Sequence, residues 1–219
     1  GDILGAMSLL NRGREWPKVD HGEIVRRSRI LVIDDGDFPY LTLFERDGYT
    51  IQQWAEVTDL RPLETGEFDL ILLDLRGVGR AESADEGFGL LKHVRETSPA
   101  QIVVAYSNEE LSLEYQPFFR MADHVLAKTS DYVEFKRTVD RLLGERFSMG
   151  FYVSRITTEL GTHAAEAPKA IEKAQRAIRT GNIEPLRKYL SRKIGEGVTV
   201  DRVIAIASVA VQVITSWTS

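Results

Sequence analysis

RILVIDDG, residues 29–36, joins two kinds of chemistry in eight positions. Four apolar residues, Ile30, Leu31, Val32 and Ile33, run directly into two carboxylates, Asp34 and Asp35. A short apolar run rich in β-branched residues predicts a strand buried on both faces, as in a parallel sheet. Open α/β sheets bind their ligands outside the carboxyl ends of the strands. The two acids are therefore expected at the mouth of a sheet. Adjacent carboxylates repel unless a cation or hydrogen bonds share their charge. Oxygen donors alone suit a hard cation such as Mg²⁺.

Downstream, strand and helix patterns alternate. Strands are predicted over residues 29–34, 50–55, 69–74, 101–107 and 124–127. Helices are predicted over 38–47, 58–64, 86–97, 112–121 and 131–143, with Pro39 in the first turn of the first. In the third helix Phe88, Leu91 and Val94 recur at helical spacing; in the last, Phe135, Val139, Leu142 and Leu143 share a face. Five strands alternating with five helices imply a doubly wound parallel α/β sheet, since parallel strands need crossovers. Asp34, Asp35, Asp74, Ser107 and Lys128 then share one rim. Upstream, residues 3–10 could form a short helix, Gly13, Pro17 and Gly22 interrupt the chain between it and the first strand, and Met7 is a candidate native start.

Bulk composition sets limits on the chemistry. The chain has 219 residues, 43% apolar and 28% charged, ordinary values for a globular protein of one large domain or two smaller ones. It contains no cysteine, which excludes disulfides, thiolate metal sites and thiol catalysis and accords with a cytoplasmic location. No signal peptide is visible, and no uninterrupted apolar run reaches the about 18 residues expected of a membrane span. Residues 1–143 carry 17 Lys+Arg against 26 Asp+Glu, whereas residues 144–219 carry 11 against 7. An acidic front and a mildly basic back imply two parts with different roles.

A single acid at a strand end is ordinarily a helix cap or a solvated turn; Lys128 alone could be an edge-strand charge and Ser107 a cap. The ordered set is more specific. An acid pair after strand one, Asp74 after strand three, Ser107 after strand four and Lys128 after strand five resemble the receiver domain of two-component response regulators. The resemblance covers residues 29–143 and implies a flavodoxin-like sheet of order 2-1-3-4-5. It implies that Asp74 accepts a phosphoryl group from a histidine kinase or phosphotransfer protein. Asp34, Asp35, Asp74 and the backbone carbonyl of Arg76 would hold Mg²⁺. Lys128 and Ser107 would contact the phosphoryl oxygens, and activity would be limited to self-phosphotransfer and autodephosphorylation. The sequence departs from the family at Val125, where an aromatic residue is usual, at Thr129, where proline is usual, and at Asn108, where a small residue is common. Thirteen positions separate Asp74 from Gly87, several more than usual, so a mobile polar loop is expected there.

Residues 1–28 read as an extension and 144–219 as a mainly α-helical module resembling no named family. Helices are predicted over 151–163, 168–180, 184–194 and 200–216. The last is apolar nearly all round and suits burial in a bundle or a subunit interface, although its β-branched density leaves a strand open. Between Lys169 and Lys193 stand eight basic residues and two acids. His163, five positions before Pro168, echoes the spacing around a sensor-kinase histidine but reads more simply as a helix-end residue. The expectation is a response regulator whose helical module dimerises or docks a helical protein partner. The alternatives are a transcriptional regulator whose basic helices bind DNA, and a scaffold that keeps the acids without being phosphorylated.

Overall fold

The computed structural model describes Trp16 and residues 18–107 and 116–217. The expected helix over 3–10, Asn108 and the first part of the helix over 112–121 lie outside the described residues. These residues form two compact units, Val19–Arg146 and a helical unit of residues 147–217 with Trp16 and Lys18.

The first unit is built on five parallel strands, β1 Arg29–Ile33, β2 Thr50–Trp54, β3 Leu70–Asp74, β4 Ile102–Ser107 and β5 His124–Ala127. Their order is β2-β1-β3-β4-β5, the flavodoxin-like arrangement. Its helices are α1 His21–Arg27, α2 Leu41–Arg46, α3 Arg61–Glu64, α4 Gly87–Thr97, α5 Gln116–Phe119 and α6 Tyr132–Glu145. The three inner strands are apolar at nearly every position because helices cover both faces. Leu31, Ile33, Ile71, Leu73, Val103 and Ala105 form one face with Leu63, Leu91, Val94 and Phe119 of the helices. The alternate residues Ile30, Val32, Leu70, Leu72, Ile102 and Val104 are as deeply buried on the other. Each such side chain withdrawn from water contributes about 1.5–3 kcal/mol before conformational entropy is subtracted.

Two helix starts and one additional helix depart from expectation for local reasons. Helix α2 begins at Leu41, not residue 38, because a residue before proline avoids helical backbone angles. Phe38 instead donates its amide to Gln53 Oε1 at 3.2 Å and buries its ring. Helix α3 is shortened to Arg61–Glu64, since Asp59 turns back to accept the Arg61 amide at 3.0 Å. Helix α1 has no counterpart among the sequence expectations. Asp20 caps it by accepting the Gly22 amide at 2.9 Å, and it buries Ile24 and Val25.

Gly87 opens α4 where the chain passes closest to the end of β3. A Cβ there would stand 2.1 Å from the Asp74 carbonyl oxygen and 2.8 Å from Leu75 Cα. Between them, residues 80–82 and 84–86 form turns. Gly77 donates its amide to Glu86 Oε2 at 2.9 Å, and Gly79 donates to Glu56 Oε1 at 2.6 Å. The Gly77 amide, ahead of the nearby Arg80, holds the Glu86 carboxyl below its ordinary pKa.

The helical unit comprises α7 Met149–Leu160, a 3₁₀ turn Gly161–Ala164, α8 Ala170–Thr180, α9 Glu184–Ile194 and α10 Val198–Trp217. Ser148 caps α7 through the Phe151 amide at 3.2 Å. Pro185 sits in the first turn of α9, whereas Pro168 precedes α8. Helix α10 packs against α7, α8 and α9, burying Val203, Ile206, Ala207, Ala210 and Val213. The continuous helical backbone over these 20 residues decides between the helix and strand readings. At 20 residues, with a mean hydropathy of 1.7 over an 18-residue window, α10 is long and apolar enough by composition to cross a membrane. The sequence reading concerned uninterrupted apolar runs and stands beside this, because a window tolerates Asp201, Arg202 and Gln212 where a run does not.

Two substitutions test these packing arguments. Gly87→Ala forces α4 away from Asp74 and should lower stability by about 1–3 kcal/mol in urea unfolding of the full chain. Ile206→Ala empties a fully buried position of the helical bundle and should cost about 2–5 kcal/mol in the unfolding transition of that unit.

Candidate functional site

The carboxyl rim of the sheet gathers the acids. Asp34 follows β1 directly, and Asp74 ends β3 one strand away. Oxygens of Asp34, Asp35 and Asp74 all lie within 4.8 Å of one another. Asp34 and Asp74 are buried, Asp35 is exposed. The fit of Asp35 depends on Gly77, which has φ +83° and would place any Cβ 2.3 Å from Asp35 Oδ2. A side chain at residue 77 would thus be strained twice, by backbone and by space.

Lys128, just past β5, reaches into this group. Its Nζ donates to Asp74 Oδ2 at 2.5 Å and lies 3.3 Å from the Asp34 carboxylate. Its own amide donates to the Ser107 carbonyl at 2.9 Å, which ties its position to the end of β4. Burial raises the Asp74 pKa, outweighing the downward pull of Lys128 and of the Arg76 amide, which donates to Asp74 Oδ1 at 3.1 Å. Burial lowers the Lys128 pKa, but its bonds to Asp74 and Asp34 outweigh that and leave it raised. Lysine and carboxylate therefore form a partly buried, charge-assisted pair.

Ser107 is buried at the end of β4. Register pairs its neighbour Tyr106 with Asp74, which puts Ser107 one position further out on the same rim. Arg76 leaves β3 toward the surface, where its guanidinium carbon lies 5.6 Å from the centre of the Phe88 ring. The oxygen-only donor set, with two buried carboxylates and an exposed third, fits a hard divalent cation. The residues the structure brings together are thus Asp34, Asp35, Asp74 and Lys128, with Ser107 and Arg76 on adjoining chain.

Tyr106 belongs to the site although its position in an apolar strand reads as core. Its hydroxyl donates to Asp34 Oδ2 at 2.8 Å while its ring is 2% exposed. Burial first, then the Asp34 charge, pushes the phenol pKa far upward, so it stays a neutral donor. Beside it opens a cavity of about 210 Å³ bounded by Asp34, Phe38, Tyr40, Tyr106, Lys128 and Phe135 among others. Strand periodicity alone could not have singled Tyr106 out. The position occupied by Val125 carries no aromatic ring, and Val125 packs instead at the edge of the α4–α5 core.

No protein-family model matches the chain. No curated protein matches it either. Solved structures do. A CheY-like response regulator receiver domain protein from Methanospirillum hungatei is 25% identical, with a TM-score of 0.46 over 54% of this chain and 94% of that one. The response regulator TrrA from Thermotoga maritima, solved with Mg²⁺-BeF, is 21% identical, with a TM-score of 0.41 over 52% and 98%. NtrX from Brucella abortus, solved with ATP, is 18% identical, with a TM-score of 0.47 over 75% of this chain and 40% of its own. Over about half of its length, this chain is similar to CheY-like receiver domains of response regulators.

Proposed function

We propose that the chain is a two-component response regulator in which Asp74 accepts a phosphoryl group from a phosphohistidine on a partner histidine kinase or phosphotransfer protein. The observation that carries this reading is the contact of Lys128 Nζ with Asp74 Oδ2 at 2.5 Å, within a triad of carboxylates at the open rim of the sheet. In the transfer, an oxygen of Asp74 forms a bond to phosphorus as the bond from phosphorus to the histidine nitrogen breaks. The kinase histidine leaves with the nitrogen lone pair.

Lys128 supplies a compact positive charge to the equatorial phosphoryl oxygens, where charge accumulates during transfer. Ser107 offers a hydroxyl donor to one of them. Asp34, Asp35, Asp74 and the Arg76 carbonyl would hold Mg²⁺, which supplies neutralisation of the crowded acids and of the phosphoryl group. The acyl phosphate on Asp74 then biases a two-state rearrangement rather than sustaining turnover. The helical unit serves as the output, a dimerisation or protein-docking module. Its exposed cations Lys169, Arg176, Arg179, Arg192 and Lys193 face solvent on α8, α9 and the chain before α8.

Incubation of the full chain with Mg²⁺ and acetyl phosphate, read by intact mass, tests the reading. One added phosphoryl group is expected on the wild type and none on Asp74→Ala or in excess chelator. Lys128→Ala should slow the modification by about 100-fold, the usual loss when a donor to developing charge is removed. An adduct that survives Asp74→Ala, or no adduct on the wild type, would exclude Asp74 as the acceptor.

A further inference from the structure

We propose that Tyr106 is a positioning residue of the acid centre, its hydroxyl holding Asp34 in the orientation that binds a divalent cation. This rests on the metal site of the preceding subsection and extends it to a residue on β4.

Each oxygen of Asp34 has its own short donor, and Lys128 Nζ adds a longer contact to Oδ1 at 3.3 Å. Oδ1 accepts the Gly36 amide at 2.9 Å, a bond within the chain that leaves β1. Oδ2 accepts the Tyr106 hydroxyl at 2.8 Å, from a strand separated from β1 by β3. A carboxylate held at both oxygens by fixed donors cannot turn about its last bond without losing one of them. The donors are themselves fixed. The ring of Tyr106 is packed against Phe38 and Phe135, with centroids 5.9 and 5.8 Å away, and Lys128 Nζ lies 5.6 Å from its centre.

Packing alone does not require the hydroxyl, because phenylalanine would fill the same ring volume. In a buried setting a phenol is placed where its O–H has a partner, and here that partner is an acid of the centre. Outer neighbours that orient a metal-binding carboxylate govern affinity without touching the ion. The hydroxyl of Tyr106 fills that role, linking β4 to Asp34 across the strand that carries Asp74.

The test is calorimetric titration of the full chain with MgCl₂, comparing wild type, Tyr106→Phe and Val94→Ala, with near-ultraviolet spectra and melting curves in parallel. Tyr106→Phe should weaken Mg²⁺ binding by about tenfold. The tyrosine difference spectrum that Mg²⁺ induces in the wild type should vanish with it. Val94→Ala should lower the melting temperature and leave Mg²⁺ affinity unchanged, because it removes packing on the face of the sheet away from Tyr106 and keeps the hydroxyl. Wild-type affinity in Tyr106→Phe overturns the proposal, as does an equal loss of affinity in Val94→Ala. So does a wild type that binds Mg²⁺ with no change in its tyrosine spectrum, whether or not the variant folds. A wild type that binds no Mg²⁺ overturns the metal site itself, and the proposal with it.

Discussion

Three carboxylates at one rim are held against their own repulsion, and the first unit is arranged around that constraint. Two like charges about 5 Å apart repel by roughly 3 kcal/mol at an effective dielectric constant of about 20. Lys128 offsets much of this by bonding Asp74 and approaching Asp34, yet one lysine against three acids leaves a surplus of negative charge. Burial first, with the Asp34 charge adding the smaller push, raises the Asp74 pKa. A divalent cation would neutralise the surplus, and an arriving phosphoryl group would replace Asp74 as the partner of Lys128. The residues that make the crowded centre costly are thus those the proposed chemistry needs.

The surroundings keep the acids in place by removing alternatives. Gly77 accommodates Asp35, and Gly87 allows α4 to start against the Asp74 carbonyl. Glu86, at φ 55° and ψ −134°, holds the intervening turns through the Gly77 amide. A non-glycine residue in that region costs of order 1–3 kcal/mol and persists only where its surroundings compensate. Here the Gly77 bond and the start of α4 supply the compensation. The turns beside Asp74 are therefore anchored at their glycines, while Arg80, Glu82 and Asp85 remain exposed.

The helical unit obeys simpler physics. Its helices converge on α10, whose small residues Ala207 and Ala210 are fully buried and let the neighbouring helices approach. Exposed pairs such as Arg187–Asp201 at 3.1 Å add little to stability, so apolar burial dominates. His163 sits in the 3₁₀ turn after α7, partly exposed, with Nδ1 3.2 Å from Glu166 Oε1. That is the environment of a helix-end histidine.

The sheet, its strand boundaries to within a residue and the clustering of Asp34, Asp35, Asp74 and Lys128 are legible in the sequence. They come from local facts: apolar runs end in polar residues, and parallel strands present those ends on one side. Helix α1 is harder to read because Gly22 has the character of a breaker, although Asp20 and Glu23 supply the start signals. The place of Tyr106 is hidden because a tyrosine in QIVVAYS has the same hydrophobic value whether its hydroxyl is idle or bonded to an acid 72 positions earlier. Periodicity reports which face a side chain takes. Its partner across an intervening strand is set by register and strand order, which exist only once the sheet has closed.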